Sequence, residues 1–201
     1  MTSKPLQISE LEDNSVVPKR NNLFTKKVGL LVLKLMGWKV TGKLPEKKKF
    51  ILAVAPHTSN WDFIVCVAVM LAIDLKVKYL GKDAIFVWPI KGLLESFGGI
   101  PVDRKSSHGV VGQLVRLCNE SEHFVLGIAP EGTRSKTKEW KTGFLNIASK
   151  ANIPVVPVSL HFDTKEVRIR EELEISPDIE QELTRVKLFY KDACAKNPQA
   201  V

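Results

Sequence analysis

Two runs of apolar residues, each stopped by a proline, constrain the fold of this chain more than any other feature. The run over 50–55 ends at Pro56, and the run over 124–129 ends in the same way at Pro130. A strand that is apolar on both faces has to be covered on both faces, which is typical of parallel strands inside α/β domains. We therefore predict two buried strands of one sheet at these positions.

Helical patterns alternate with shorter strand-like runs along the rest of the chain. Helices are predicted over 22–37, 61–75, 84–97, 110–118, 143–151 and 178–195. Further strands are predicted over 39–42, 77–80, within 98–104, and over 155–160, 167–169 and 173–175. This alternation predicts an α/β fold, with a single mixed, largely parallel sheet flanked by helices.

The 201 residues, of which 44% are apolar and 26% charged, suit one globular domain and exclude a chain that is disordered throughout. We place this domain at 39–201, after a flexible polar arm over 1–21 and a helix over 22–38. The three cysteines are widely spaced and form no C-x-x-C pair. This argues against a zinc ribbon or a disulfide framework and favours a reducing cytosol.

Positive charge is concentrated in the N-terminal quarter of the chain. The formal net charge of the whole chain is +8. Residues 1–50 carry eleven Lys and Arg against four Asp and Glu, so this quarter alone holds a net charge of +7. A segment of this kind suits either nucleic acid or an anionic membrane surface as its partner.

The same quarter contains apolar residues at helical spacing, namely Phe24, Val28, Leu31, Leu35 and Trp38. Lysines lie off this face, at positions 26, 27 and 34. The longest uncharged apolar run here is far shorter than the ~20 residues that cross a bilayer. Two interpretations stay open: a basic amphipathic helix that lies in a membrane interface, or a helix that packs its apolar face on the domain. Nucleic acid is disfavoured, because no recognition motif occurs.

Three polar clusters follow apolar runs at the points where strands are predicted to end. They are HTSNWD at 57–62, Asp-Arg-Lys at 103–105, and PEGTRS at 130–135. Functional sites in open α/β sheets lie at the carboxyl ends of strands. These clusters therefore hold the candidate functional residues.

The first cluster contains His57 and, five residues later, Asp62. A histidine can take a proton from an attacking hydroxyl when a carboxylate holds its other ring nitrogen. If a helix begins near Asn60, its positive end disfavours the imidazolium, whereas Asp62 stabilises it. The alternative is that Asp62 is simply an acid in the first turn of a helix.

The second and third clusters have the composition of anion sites. Their cations are Arg104, Lys105 and Arg134, and the third cluster adds Gly132, which allows backbone N–H groups to approach a ligand, and the hydroxyl of Thr133. The alternative is a solvated turn in which Glu131 and Arg134 pair with each other.

Together these clusters resemble the glycerolipid acyltransferase family, whose best-known members are the 1-acylglycerol-3-phosphate acyltransferases. Four blocks of the family pattern occur in order: H-x-x-x-x-D at His57 and Asp62, a hydrophobic-Asp-Arg step at 102–104, P-E-G-T-R-S at 130–135, and a proline-containing apolar strand at 153–158. The resemblance covers about residues 38–165 and identifies 39–201 as an acyltransferase domain.

The resemblance implies transfer of a fatty acyl group from a thioester to the free hydroxyl of a lysophospholipid, first of all from 1-acyl-sn-glycerol-3-phosphate to phosphatidic acid. The donor it implies is acyl-CoA or acyl carrier protein, with no cofactor and no metal. His57 is then the general base and Asp62 orients it. The residues that would bind substrate are Arg104, Lys105, Glu131, Gly132, Thr133 and Arg134. The alternatives are another acceptor, such as a lyso-ornithine lipid, or a membrane-binding module without activity.

Lipid substrates give the helix over 22–38 a purpose, because it can hold the domain at a membrane surface. We therefore expect a peripheral protein on the cytoplasmic face of the cell membrane, with no nucleic acid as a partner. A serine hydrolase is disfavoured, since no G-x-S-x-G motif occurs.

Overall fold

A seven-stranded sheet forms the centre of the computed structural model, which describes residues 16–102, 107–133, 135–137 and 139–200. Its strands are β1 (Lys39–Thr41), β2 (Lys49–Ala55), β3 (Lys78–Lys82), β4 (Gly99–Val102), β5 (Phe124–Ile128), β6 (Val155–His161) and β7 (Glu166–Ile169). The order across the sheet is β1-β7-β6-β2-β5-β3-β4. All neighbours pair in parallel except β6 and β7, which confirms the predicted mixed, largely parallel sheet.

The two apolar runs that end at prolines are adjacent strands in the middle of this sheet. β2 and β5 pair in parallel, with Ala53 opposite Ile128, and β6 covers the other edge of β2. Every residue of β6 is buried. Their carboxyl ends therefore lie side by side, which brings the segments that follow them together.

Six helices cover the two faces of the sheet within the described part of the chain. They are α1 (Leu23–Met36), α2 (Asn60–Ala72), α3 (Lys91–Ser96), α4 (Ser107–Glu120), α5 (Gly143–Ala151) and α6 (Ile179–Lys187). α1 and α2 share one buried apolar cluster with the sheet, and α4, α5 and α6 share the other. Side chains of β2 alternate between the two, since Phe50 belongs to the first cluster and Ile51 to the second.

Two helix predictions were too long. The helix predicted over 84–97 is a short 3₁₀ turn at Asp83–Ile85 followed by α3, because Pro89 lacks an N–H and disfavours helical backbone in the residue before it. The helix predicted over 178–195 ends at Lys187, and a 3₁₀ turn follows at Leu188–Tyr190. Beyond it, backbone hydrogen bonds join Cys194 to the end of β6 and replace helical ones.

Smaller differences occur at the edges of the sheet and at the N-terminus. The strand predicted over 173–175 is reduced to a single bridge between Leu173 and Val155. The polar arm predicted over 1–21 is wrong for its described part, because Val17 is 2% exposed and Lys19 bridges Leu75. Residues 1–15 lie outside the described residues.

Helix α1 has well-defined ends. The side chain of Asn22 accepts a hydrogen bond from the backbone N–H of Thr25 at 3.0 Å, which caps the first turn. Gly37 ends the helix in the left-handed conformation, with φ 72°. These caps place the helix within one residue of its predicted bounds at each end.

The two faces of α1 have different surroundings. Gly29 and Leu33 are buried against α2, so one face packs on the domain. Most of the apolar stripe recognised in the sequence faces outward instead, with Phe24 76%, Leu31 55% and Leu35 78% exposed. Trp38 is the exception: it is 7% exposed and belongs to the core, so its place in the stripe was predicted wrongly. The two interpretations of this helix therefore concern opposite faces. No helix among the described residues is both long enough and apolar enough to cross a membrane.

Gly29 is the point at which α1 touches α2 most closely. A Cβ atom at this position would lie 2.5 Å from the backbone nitrogen of Ala72 and 2.7 Å from the carbonyl oxygen of Ala68. Both are backbone atoms, so a side chain here forces the helices apart. The approach thus requires glycine.

We predict that Gly29→Ala lowers the free energy of unfolding by about 1–3 kcal/mol, because overpacking outweighs the gain in helix propensity. Urea unfolding followed by circular dichroism measures the change. Gly112→Ala is the matched control, since Gly112 is also helical and has open space around it. The control should be neutral or stabilising by up to about 1 kcal/mol. Equal stability of the two variants would contradict the close packing of α1 on α2.

Candidate active site

The HTSNWD cluster lies in the turn that connects β2 to α2. β2 ends at Ala55 and α2 begins at Asn60, so His57 stands at the carboxyl edge of the sheet. Ser59 is the residue that precedes the helix, with extended backbone at φ −151° and ψ 168°. The side chain of His57 is mostly buried, with 19% of its surface exposed. The helix start that the sequence suggested near Asn60 is confirmed.

Asp62 organises this turn from the first turn of α2. Its carboxylate is fully buried, and Oδ2 accepts hydrogen bonds from the backbone N–H groups of Thr58 and Ser59, both at 2.6 Å. The other oxygen, Oδ1, accepts the hydroxyl proton of Ser59 at 2.8 Å. Asp62 thus satisfies backbone donors at the start of a helix, as expected for an acid in the first helical turn.

The same carboxylate also faces the histidine ring. Oδ2 of Asp62 lies 3.5 Å from Nδ1 of His57, longer than an ideal hydrogen bond and within ion-pair distance. Distances of this kind are common at catalytic histidines without a bound substrate. One carboxylate therefore contacts both the start of the helix and the ring of His57, and this geometry is compatible with both interpretations of Asp62.

Glu131 approaches His57 from the neighbouring strand. It follows β5, is 9% exposed, and both of its carboxylate oxygens accept the backbone N–H of His57, at 3.0 and 3.1 Å. Burial raises the pKa of Glu131 to about 7; hydrogen bonds from the backbone oppose the rise and the charge of Asp62 adds to it. In the structure, Glu131 therefore binds the backbone N–H of His57 through its carboxylate.

The described residues that follow Glu131 in the PEGTRS cluster form a tight turn next to this contact. Gly132 has φ 65°, a left-handed conformation that favours glycine, and its N–H bonds to the carbonyl oxygen of Ala129 at 3.1 Å. The hydroxyl of Thr133 accepts the N–H of Ser135 at 3.2 Å. Lys141 closes the turn through its N–H, which donates to the carbonyl oxygen of Pro130 at 2.7 Å.

The three cations of the predicted anion site, Arg104, Lys105 and Arg134, lie outside the described residues. β4 reaches the carboxyl edge at Val102, directly before the second cluster, and lies three strands from β2. With neighbouring strands about 4.8 Å apart, the carboxyl ends of β2 and β4 are separated by about 14 Å across the sheet. Among the residues that the structure describes, no group of three or more His, Cys, Asp and Glu side chains could hold a metal ion.

Two further residues that interact with the HTSNWD cluster carry no sequence signal. Asn197 reaches Thr58 from the C-terminal segment, with its side-chain nitrogen 3.0 Å from the carbonyl oxygen of Thr58. Cys66 lies one turn after Asp62 in α2, and its pKa is raised to about 12 by burial and by the charge of Asp62. Neither residue belongs to a motif, and only the folded chain brings Asn197 to the site.

The family model for acyltransferases matches residues 38–161 of the chain, and this range includes both His57 and Glu131. The match covers more than half of the chain. The chain belongs to the acyltransferase family. The matched range coincides closely with the extent of the resemblance found in the sequence, and it confirms the recognition of a glycerolipid acyltransferase.

Two curated relatives carry the same description and come from plants. The chloroplastic 1-acyl-sn-glycerol-3-phosphate acyltransferase of Brassica napus is 32% identical over 110 residues, which are 52% of this chain and 32% of that protein. The corresponding chloroplastic enzyme of Arabidopsis thaliana is 31% identical over 112 residues, 53% of this chain and 31% of that protein. The chain thus spans about a third of the length of the curated relatives it matches.

A solved structure shares the fold. The crystal structure of the 1-acyl-sn-glycerophosphate acyltransferase PlsC from Thermotoga maritima superposes with a TM-score of 0.57 and covers 86% of this chain and 80% of that chain. The sequence identity is 21%, so the similarity establishes the α/β fold.

We predict that the burial of Glu131 makes stability fall as the pH rises. Folding raises the pKa of this carboxyl from 4.5 to about 7, so the folded state binds the additional proton in this window. The contribution of protonated Glu131 to the free energy of unfolding is therefore present at low pH and is lost between about pH 4.5 and pH 7. From pH 5 to pH 8, Glu131 should account for a loss of about 2 kcal/mol.

Glu131→Gln tests this prediction, because the amide oxygen still accepts the N–H of His57 and does not titrate. Urea unfolding at pH 5 and pH 8 should show a smaller loss of stability in this variant than in the wild type. Glu120→Gln, at an exposed carboxyl, is the control and should follow the wild type. The prediction fails if the wild type and Glu131→Gln lose the same stability between the two pH values.

Proposed function

We propose that the protein transfers a fatty acyl group from an acyl thioester to the free hydroxyl of a lysophospholipid, with 1-acyl-sn-glycerol-3-phosphate as the acceptor and phosphatidic acid as the product. The observation that carries the proposal is the contact of His57 Nδ1 with the buried carboxylate of Asp62, at the carboxyl edge of the sheet. Family membership and the names of the plant relatives support it.

In the proposed reaction, His57 acts as the general base. Asp62 faces Nδ1 of the ring, so Nε2 is the nitrogen that accepts the proton of the acceptor hydroxyl. The hydroxyl oxygen forms a bond to the thioester carbon and the C–S bond breaks. The departing thiolate then takes the proton that Nε2 accepted from the hydroxyl. The carboxylate of Asp62 stabilises the imidazolium between these two proton transfers. General-base assistance of this kind contributes ~10²–10⁴ in rate.

Two observations favour direct attack by the acceptor over an acyl-enzyme intermediate. The pKa of Cys66 is raised to about 12, so this thiol stays protonated near neutral pH and is a poor nucleophile. The hydroxyl of Ser59 donates to Asp62 at 2.8 Å. Neither side chain is paired with His57 in the way that an activated nucleophile would be.

The remaining roles follow from the resemblance. Arg104 and Arg134 hold the acceptor phosphate in the proposal, with Lys105, Gly132 and Thr133 as helpers. For Glu131 we propose a different role from the one expected of it, because both carboxylate oxygens accept the backbone N–H of His57. Glu131 holds the base in place instead of binding the acceptor. The donor is acyl-CoA or acyl carrier protein, and the reaction needs no metal or cofactor.

We further propose that the protein acts at a membrane surface, on its cytoplasmic face. The outward stripe of α1 exposes Phe24, Leu31 and Leu35, while the exposed lysines at 27 and 34 lie off it. An exposed apolar stripe with flanking lysines suits peripheral binding to anionic lipid. Both substrates carry long acyl chains, so a surface-bound enzyme meets them where they partition.

The activity is tested by thiol release from a long-chain acyl-CoA, with and without 1-acyl-sn-glycerol-3-phosphate. We expect acceptor-dependent release, and we expect His57→Ala to lower kcat by 10²- to 10⁴-fold with a small change in KM, since the base acts in the transition state. His123→Ala is the matched control, because His123 is exposed directly before β5. It should match the wild type.

Other results of this assay contradict the proposal in defined ways. Release without an acceptor indicates a thioesterase. Release that depends on a lyso-ornithine lipid and not on the phosphate-bearing acceptor indicates the other lipid class. If no acyl-CoA is consumed, the acyl carrier protein thioester is tested next, and failure with both donors and both acceptors favours a membrane-binding module.

Membrane binding is tested by sedimentation with vesicles of phosphatidylcholine and phosphatidylglycerol. Each lysine near an anionic surface contributes about 1 kcal/mol, so Lys27→Glu with Lys34→Glu should weaken binding at least 10-fold. The control is Lys150→Glu with Lys187→Glu, which changes the charge equally on α5 and α6, on the other side of the sheet. Equal loss in both pairs would show a general charge effect and contradict binding through α1.

A further inference from the structure

Thr58, the residue after His57, is held by the C-terminal segment of the chain. The side-chain nitrogen of Asn197 donates to the carbonyl oxygen of Thr58 at 3.0 Å. The backbone N–H of Asn197 donates to the hydroxyl oxygen of Thr58 at 3.2 Å. Thr58 is 5% exposed, and its own N–H donates to Asp62. All three polar groups of Thr58 are thus engaged, two of them by one residue 139 positions later.

The segment that carries Asn197 is itself attached to the sheet. The hydroxyl of Tyr190 donates to the carbonyl oxygen of Ala53 in β2. The N–H of Cys194 donates to the carbonyl oxygen of Leu160 at 3.2 Å, and the N–H of Phe162 donates to the carbonyl oxygen of Cys194 at 2.9 Å. Segment 190–197 therefore follows the end of β6 to the carboxyl edge, which delivers Asn197 to the site from a fixed direction.

These contacts hold the backbone around His57 from two sides. Glu131 accepts the N–H of His57, and Asn197 donates to the carbonyl oxygen of the next residue. Both hydrogen bonds are to the backbone. Together with the hydrogen bonds to Asp62, they fix where the Cα atom of His57 lies, and therefore the 3.5 Å distance between its Nδ1 and Asp62 Oδ2. A displacement of about 1 Å at a reacting group can lower the rate 10²-fold.

We propose that Asn197 is a positioning residue for acyl transfer, which fixes the Thr58 peptide and so holds His57 in reach of Asp62 and of the acceptor hydroxyl. The inference rests on the proposed role of His57 as the base. It assigns a function to the C-terminal segment, which lies beyond the residues that the family model matches.

Asn197→Asp is the sharpest test, because aspartate has nearly the same shape and cannot donate to a carbonyl oxygen. We expect kcat to fall about 10- to 100-fold with KM for both substrates within about 2-fold, since only the reacting geometry changes. Thr58→Val removes the other hydrogen bond and should also lower kcat, and Thr58→Ser should recover most of that loss. Gln199→Ala, at an exposed position two residues further on, is the control that should match the wild type.

Amide hydrogen exchange provides a measurement that does not depend on activity. In Asn197→Asp, the amides of Thr58 and Ser59 should exchange at least 10-fold faster, while those of β2 and the thermal midpoint stay as in the wild type. Unchanged exchange at Thr58 and Ser59 overturns the inference, whether or not acyl transfer is detected. A general loss of protection together with a lower midpoint also overturns it, because Asn197 would then support the fold as a whole.

The activity data separate this inference from the proposed function. If His57→Ala abolishes transfer and Asn197→Asp keeps the wild-type kcat, the proposed function stands and the inference is overturned. If the wild type transfers no acyl group to any acceptor, the proposed function fails, and the positioning role in that reaction is overturned with it. Lower kcat, unchanged KM and faster local exchange together support the inference.

Discussion

The carboxylate of Asp62 is the constraint on which this site depends. A buried charge is costly unless it is paired and hydrogen-bonded. Here three donors from Thr58 and Ser59 meet its two oxygens, and the ring of His57 lies at ion-pair distance. The donors fix the shape of the turn, and the turn fixes His57. The same hydrogen bonds therefore fix both the start of α2 and the position of His57.

Two carboxyl groups flank one histidine, and burial keeps their combined charge in check. Because the pKa of Glu131 is raised to about 7, its carboxyl group is neutral in a large fraction of the protein molecules near physiological pH. A neutral carboxyl still accepts the N–H of His57 through its carbonyl oxygen. Glu131 can thus hold the backbone without placing a full second negative charge beside Asp62.

Sequence patterns predicted the parts of this structure that depend on local chemistry. Uninterrupted apolar runs predicted β2 and β5, and the polar clusters after them contained His57 and Glu131. The predictions failed where distant contacts decide the structure. The end of the helix predicted over 178–195 is set by pairing with β6, and Asn197 is close to Thr58 only in the folded chain. The apolar stripe of α1 was recognised, but its outward direction depends on Gly29 packing against α2.

The packing of α1 on α2 also fixes a distance. Gly29 allows the two helices to touch through their backbones, so the outward stripe of α1 and the start of α2 belong to one packed unit. If α1 binds lipid through this stripe, as proposed, α2 stands one helix diameter, about 10 Å, behind the lipid-binding face. His57, directly before α2, would then be held at a set distance from the membrane surface.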